Sequence, residues 1–255
     1  ACAEEVVSRT LVIADVHGHP ELLEDALVGA GWCARRVDGS LVDVHRHGDR
    51  LIHIGDLMNC VLESEHGDLR CLDIATEFGA ELLVGNHEHP LLGGAPFFGF
   101  YPHASVRDAY MDAMTRELIR PYAVVGGALI THAGMAAGLL DRDPEDAAEA
   151  ADDLDEAWDI NPCGPIFNLV GSRRGGRGAR GGVLWSDIHE PKVNTFSQLF
   201  GHTPHDGPTL SVRNDGTWTA CIDVGGRSGR VICCAWLNED GLPPELTTIR
   251  DGTPT

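Results

Sequence analysis

The chain has 255 residues, 43% hydrophobic and 23% charged, which is enough for a full core in one large domain or two small ones and excludes disorder as a description of the whole. Its 39 Asp+Glu against 19 Lys+Arg give a formal charge of −20 at pH 7, a field that repels nucleic-acid phosphates and anionic membranes. Lys192 is the only lysine, so arginine forks are the expected phosphate contacts. The first half alternates apolar runs with amphipathic stretches: strands are predicted at 10–14, 50–54 and 81–84, and helices at 20–30 and 69–78. Pro20 suits a first helical turn, and Gly29 and Gly31 suit its end. After a helical stretch at 106–119, apolar runs at 122–125 and 128–131 flank Gly126-Gly127, a tight-hairpin signal. Residues 141–159 hold ten acidic residues against Arg142 alone and read as a helix with a solvated face. Residues 171–182 place Arg173, Arg174, Arg177 and Arg180 in a glycine-rich loop, and strands are expected at 198–200, 209–212, 217–224 and 230–236. The expected class is α/β, with mixed sheets and helices packed outside. With no internal repeat and no long linker, the reading is one domain over 1–255, in which 141–182 forms an insertion or cap.

Eight cysteines are scattered without a C-x-x-C pair in a chain too large to need staples, so reduced thiols are expected. The acidic start Ala1-Cys2-Ala3-Glu4-Glu5, with no run of about 18 apolar residues anywhere, gives a cytoplasmic expectation with no membrane and no nucleic-acid partner.

The predicted strands run into residues with ligand chemistry. Strand 10–14 leads to Asp15-Val16-His17-Gly18, strand 50–54 to Gly55-Asp56, and strand 81–84 to Gly85-Asn86-His87-Glu88. His132-Ala133-Gly134 follows the hairpin, and Gly201-His202-Thr203 follows strand 198–200. Carboxyl ends of neighbouring strands open on one crevice, which brings these side chains together. Asp15, His17 and Asp56 offer two carboxylates and an imidazole to one divalent cation. Asp56, Asn86, His132 and His202 surround a second, with Asp56 bridging. Two such ions can hold a bridging hydroxide as nucleophile.

Taken in order, Asp15-x-His17-Gly18, Gly55-Asp56, Gly85-Asn86-His87-Glu88, His132-Ala133-Gly134, Val183-Leu184-Trp185-Ser186-Asp187, Gly201-His202-Thr203 and Ile222-Asp223-Val224-Gly225 resemble the calcineurin-like metallophosphoesterases. The resemblance is nearest to their phosphoprotein-phosphatase branch, which includes bacterial and phage Ser/Thr phosphatases and diadenosine tetraphosphate hydrolases, and it covers about 9–236. It implies a four-layer α/β/β/α sandwich of two mixed sheets flanked by helices. It also implies metal-dependent hydrolysis of phosphate monoesters, with manganese first and iron or zinc as alternatives. His87 is similar to the histidine that protonates the leaving oxygen, and Glu88 to a structural partner. The implied substrate is a Ser/Thr phosphoprotein; the alternatives are a nucleotide or dinucleoside polyphosphate, and a non-catalytic binding module.

This chain departs from the family where Gly-Asp-x-x-Asp-Arg-Gly would continue: it has Asn59-Cys60 in place of Asp-Arg. Asn59 can still accept a hydrogen bond from His87, but without the charge that would raise the imidazole's pKa. Cys60 cannot replace a guanidinium, so Arg173, Arg174, Arg177 and Arg180 become the candidate phosphate contacts. The formal Gly176-x-Gly178-x-x-Gly181 match precedes a strand and opens no helix, so it carries no dinucleotide reading.

Overall fold

The computed structural model describes residues 8–45 and 47–255, so Cys2 lies outside the described residues. In chain order the elements are β1 (Arg9–Ile13), α1 (Pro20–Gly29), β2 (Cys33–Arg35), β3 (Leu41–Asp43), β4 (Arg50–His53), α2 (Glu65–Glu77), β5 (Glu81–Leu83) and α3 (Ala104–Thr115). Then come β6 (Ile119–Arg120), β7 (Tyr122–Val125), β8 (Ala128–Thr131), α4 (Ala147–Ile160), α5 (Pro165–Asn168), β9 (Ser197–Phe200), β10 (Thr209–Val212), β11 (Trp218–Cys221), β12 (Val231–Asn238), β13 (Glu245–Arg250) and β14 (Thr253–Pro254).

Two mixed sheets carry the fold. One has seven strands in the order β14-β13-β12-β1-β4-β5-β6, and the other has five, β10-β11-β9-β8-β7. β1, β4, β5 and β6 run parallel, with Thr10 opposite Arg50 and Ile52 opposite Glu81. β8, β9 and β11 are likewise parallel in the second sheet. Parallel strands are covered on both faces, and Leu11, Val12, Ile13 and Ile52 are accordingly buried. One apolar cluster takes in these residues together with Leu129, Ile130 and Leu199 of the other sheet. α1 packs on β12 and β13, and α4 on β7 and β8, so helices cover both sheets.

The Gly126-Gly127 hairpin joins β7 to β8 as expected, with φ of 54° and 74°, values that favour glycine and match the strand twist. α2 begins at Glu65, ahead of the expected 69, and takes in Gly67, which lies against the Gly18 carbonyl where a Cβ would collide. The helix expected at 106–119 ends at Thr115: Glu117 turns left-handed at φ 57° and Ile119 enters β6. The strand expected at 217–224 is confined to β11, and the first sheet continues past 236 into β13 and β14. Asp146 caps α4, its carboxylate accepting the amides of Ala148 and Glu149 at 2.9 Å. No helix among the described residues is long and apolar enough to cross a membrane.

Candidate metal centre

The parallel strands deliver the candidate ligands to one edge. Asp15 and His17 follow β1, Asp56 follows β4, Asn86 and His87 follow β5, His132 follows β8, and His202 follows β9. All seven are buried. His17, Asp56 and His202 hold left-handed backbone, with φ of 52°, 52° and 69°. Such conformations cost about 1–3 kcal/mol each in non-glycine residues and gather at functional sites. Gly85 lets the loops after β4 and β5 touch, since a Cβ there would strike the Asp56 amide.

Two groups of ligand atoms form around Asp56: His17, Asp56 and His87, and Asp56, His132 and His202. Asp56 Oδ2 lies 3.8 Å from His17 Nε2, and Oδ1 lies 3.5 Å from His132 Nε2. His132 Nε2 is also 3.0 Å from Asn86 Oδ1 and 3.1 Å from His202 Nδ1. His132 Nδ1 donates to the Ile54 carbonyl at 3.3 Å, which leaves the Nε2 lone pair facing the group. Every member of the first group follows a strand of the seven-stranded sheet, whereas the second takes His132 and His202 from the five-stranded one. Asp15 stands outside both groups, its carboxylate accepting the His202 amide at 3.1 and 3.4 Å.

The electrostatics fit divalent cations. Burial pushes the Asp56 carboxyl up to about 8, and burial with the nearby Asp223 and Asp56 carboxyls raises Asp15. Burial lowers His132 to about 3 and also depresses His17 and His202, so the imidazoles are neutral. Nδ1 of His17 and Nε2 of His202 are buried without a hydrogen-bond partner. Neutral nitrogens and carboxylates clustered away from water are a donor set for manganese, iron or zinc.

His87 Nδ1 donates to the main-chain carbonyl of Asn59 at 3.0 Å. The expected acceptor was the Asn59 side chain, but its Oδ1 is buried without a partner. The loop takes this path because Asp68, buried on α2, accepts the amides of Asn59 at 2.7 Å and Cys60 at 3.0 Å. Phe97 stacks on His87 at 4.0 Å, and burial lowers the imidazole's pKa. Glu88 accepts the amides of Asp56, Met58 and Gly85 at 2.8–3.0 Å and so ties the two loops together.

A cavity of about 380 Å³ opens over these groups and is lined by His17, Asp56, Asn86, His87 and His202. Of the four loop arginines, Arg174 lines it and Arg173, Arg177 and Arg180 do not. Arg174 Nε pairs with Asp187 at 3.2 Å, and its terminal nitrogen donates to the His202 carbonyl and Thr203 Oγ1. Sequence reasoning placed Asp223 in a motif without giving it a role and missed Arg227, Phe97 and Phe98, which share this lining, and Asp68. For Arg227 the available signal was an arginine in a glycine turn, Gly225-Gly226-Arg227-Ser228-Gly229, beyond a strand end.

No protein-family model and no curated protein matches the sequence. Solved structures do match. A protein provisionally assigned as a diadenosine tetraphosphatase shares 16% identity at a TM-score of 0.50, over 97% of this chain and 96% of that one. A Saccharomyces cerevisiae protein serine/threonine phosphatase with similarity to human phosphatase PP5 shares 14% at a TM-score of 0.50, over 95% of this chain and 80% of that one. At these identities the likeness is one of architecture. Two mixed sheets, their covering helices and a buried His/Asp cluster at the strand ends give this chain the calcineurin-like metallophosphoesterase fold.

Proposed function

We propose that the chain is a two-metal phosphoesterase acting on phosphate monoesters, with a Ser/Thr phosphoprotein as the first substrate to test. The observation that carries this reading is the shared Asp56: its two oxygens face different groups of ligand atoms, as a dinuclear centre requires. His17 and Asp56 would hold one cation, with Asp15 the third ligand expected from sequence, joining them from its hydrogen bond to the His202 amide, and Asp56, Asn86, His132 and His202 would hold the other. When bound, the pair supplies an ionised water for in-line attack and neutralises charge on the phosphoryl oxygens. His87 protonates the leaving oxygen: its Nδ1 is committed to Asn59, so Nε2, 3.9 Å from Asp56 Oδ2, is the nitrogen left to serve the substrate. Arg174, held by Asp187, is the loop arginine assigned to the phosphoryl group.

Manganese-loaded protein should hydrolyse p-nitrophenyl phosphate, and Asp56→Asn should abolish the activity. Assays on phosphopeptides, diadenosine tetraphosphate and cyclic nucleotides then rank the substrates. No turnover with manganese, iron or zinc would return the chain to a binding module, and turnover untouched by Asp56→Asn would place the chemistry away from this centre.

A further inference from the structure

Two features of the cavity are left over once the metal centre and Arg174 are assigned. The first is Arg227. It projects from a short turn between left-handed Gly225 and Gly229, with φ of 90° and 68°, and its own carbonyl is held by His19 Nε2 at 3.1 Å. The backbone is thus anchored while the guanidinium makes no hydrogen bond or ion pair among the described residues. Arg174, by contrast, already spends donors on Asp187, His202 and Thr203. Both guanidinia bear on Asp56, while Arg227 also acts on His17 and His87, and Arg174 on His132 and His202. An arginine with its whole donor fork free, on the lining of a cavity large enough for a phosphate ester, is placed to take phosphoryl oxygens alongside Arg174.

The second is Phe98. Its neighbour Phe97 is stacked on His87, and Phe98 lines the same cavity with its side chain 104% exposed. Leaving a phenyl ring in water forgoes the burial that places most phenylalanines inside. Phe98 and His87 line the same cavity, so a flat group on the leaving side of the ester would cover the exposed ring.

We propose that Arg227 and Phe98 form the recognition edge of the cavity, Arg227 gripping the phosphoryl oxygens and Phe98 stacking on an aromatic ring carried by the leaving group. The substrate class is then a phosphate ester bearing such a ring, whether a phosphotyrosine side chain or a nucleotide, which within the phosphoesterase reading takes the place of the Ser/Thr phosphoprotein named first. The proposal rests on the phosphoesterase reading and is tested separately from it, through binding.

Phenylphosphonate and methylphosphonate, which cannot be hydrolysed at the P–C bond by this chemistry, are titrated calorimetrically into the manganese-loaded chain. The wild type should bind phenylphosphonate about tenfold more tightly, and Phe98→Ala should bring the two together. Arg227→Ala should weaken both by about tenfold and preserve their ratio, with Arg227→Lys recovering part of the loss. Equal affinities in the wild type, a ratio that survives Phe98→Ala, or an Arg227→Ala variant indistinguishable from wild type would overturn the proposal. Competition against phenylphosphonate distinguishes the sources: a phosphotyrosine peptide and 5′-AMP should both displace it better than a phosphoserine peptide, the better of the two naming the source, and equal displacement by phosphoserine counts against the ring. Turnover of benzyl phosphate and ethyl phosphate is measured alongside. The expected binding pattern without any turnover would sink the enzymatic reading and leave the recognition edge standing.

Discussion

His87 finds its orienting partner on the main chain, at the Asn59 carbonyl, so the side chain at 59 is free of that duty. Asn59→Ala is therefore expected to leave kcat within about threefold, while His87→Ala lowers it by about 10²–10⁴ on an ester with a poor leaving group and far less on p-nitrophenyl phosphate. Equal losses on both esters would reject the acid role. Burial lowers the imidazole's pKa, and a proton donor must be charged to act, so kcat should decline with rising pH from below the ordinary imidazole range. The ligand residues could be read from sequence because each follows an apolar strand directly. Asp68 could not, since its role comes from a loop folding back onto α2, which no spacing records, and Arg227 left only the faint signal of its glycine turn.

Helix α2 does more than cover the first sheet. Through Asp68 it ties down the loop that carries Asp56 to Cys60, with Ser64 Oγ adding a bond to the same carboxylate at 2.6 Å. Asp68→Ala strands two amides next to a buried loop and is expected to cost about 2–4 kcal/mol, read as a lower urea midpoint at unchanged slope. It should also cut kcat/KM, because the carbonyl that orients His87 belongs to that loop; full activity in a destabilised variant would separate the loop from the chemistry. At this scale the hairpin at 122–131 was legible, because two consecutive glycines with positive φ leave little else for the chain to do. β13 was not. As Glu245–Arg250 it carries little of the apolar alternation that marks a strand, and it owes its place to its partner β12. The start of α2 was obscured by Gly67, which reads as a helix breaker and serves close packing instead.

Across the whole molecule, the buried carboxyls couple metal binding to pH. Asp56 and Glu88 are pushed up to about 8 by burial, so between about 4 and 8 the folded chain retains protons that the unfolded chain would release. The sign follows: without metal, stability falls as pH rises through that window. A cation must displace the proton of Asp56, so manganese should raise the melting temperature more at pH 8 than at pH 5.5. At a hundredfold excess over Kd the gain is about 2.7 kcal/mol per site, or roughly 5–10 °C for a chain of this size. Identical melting in EDTA and manganese at pH 8 would count against the centre. Because one ligand group belongs to a single sheet and the other spans both, the two respond differently to deformation. Spreading the sandwich would draw His132 and His202 away from Asp56 and leave His17 and His87 where they are. The second group is thus a built-in gauge of how tightly the halves close, and a core substitution along their seam would weaken that half of the centre first.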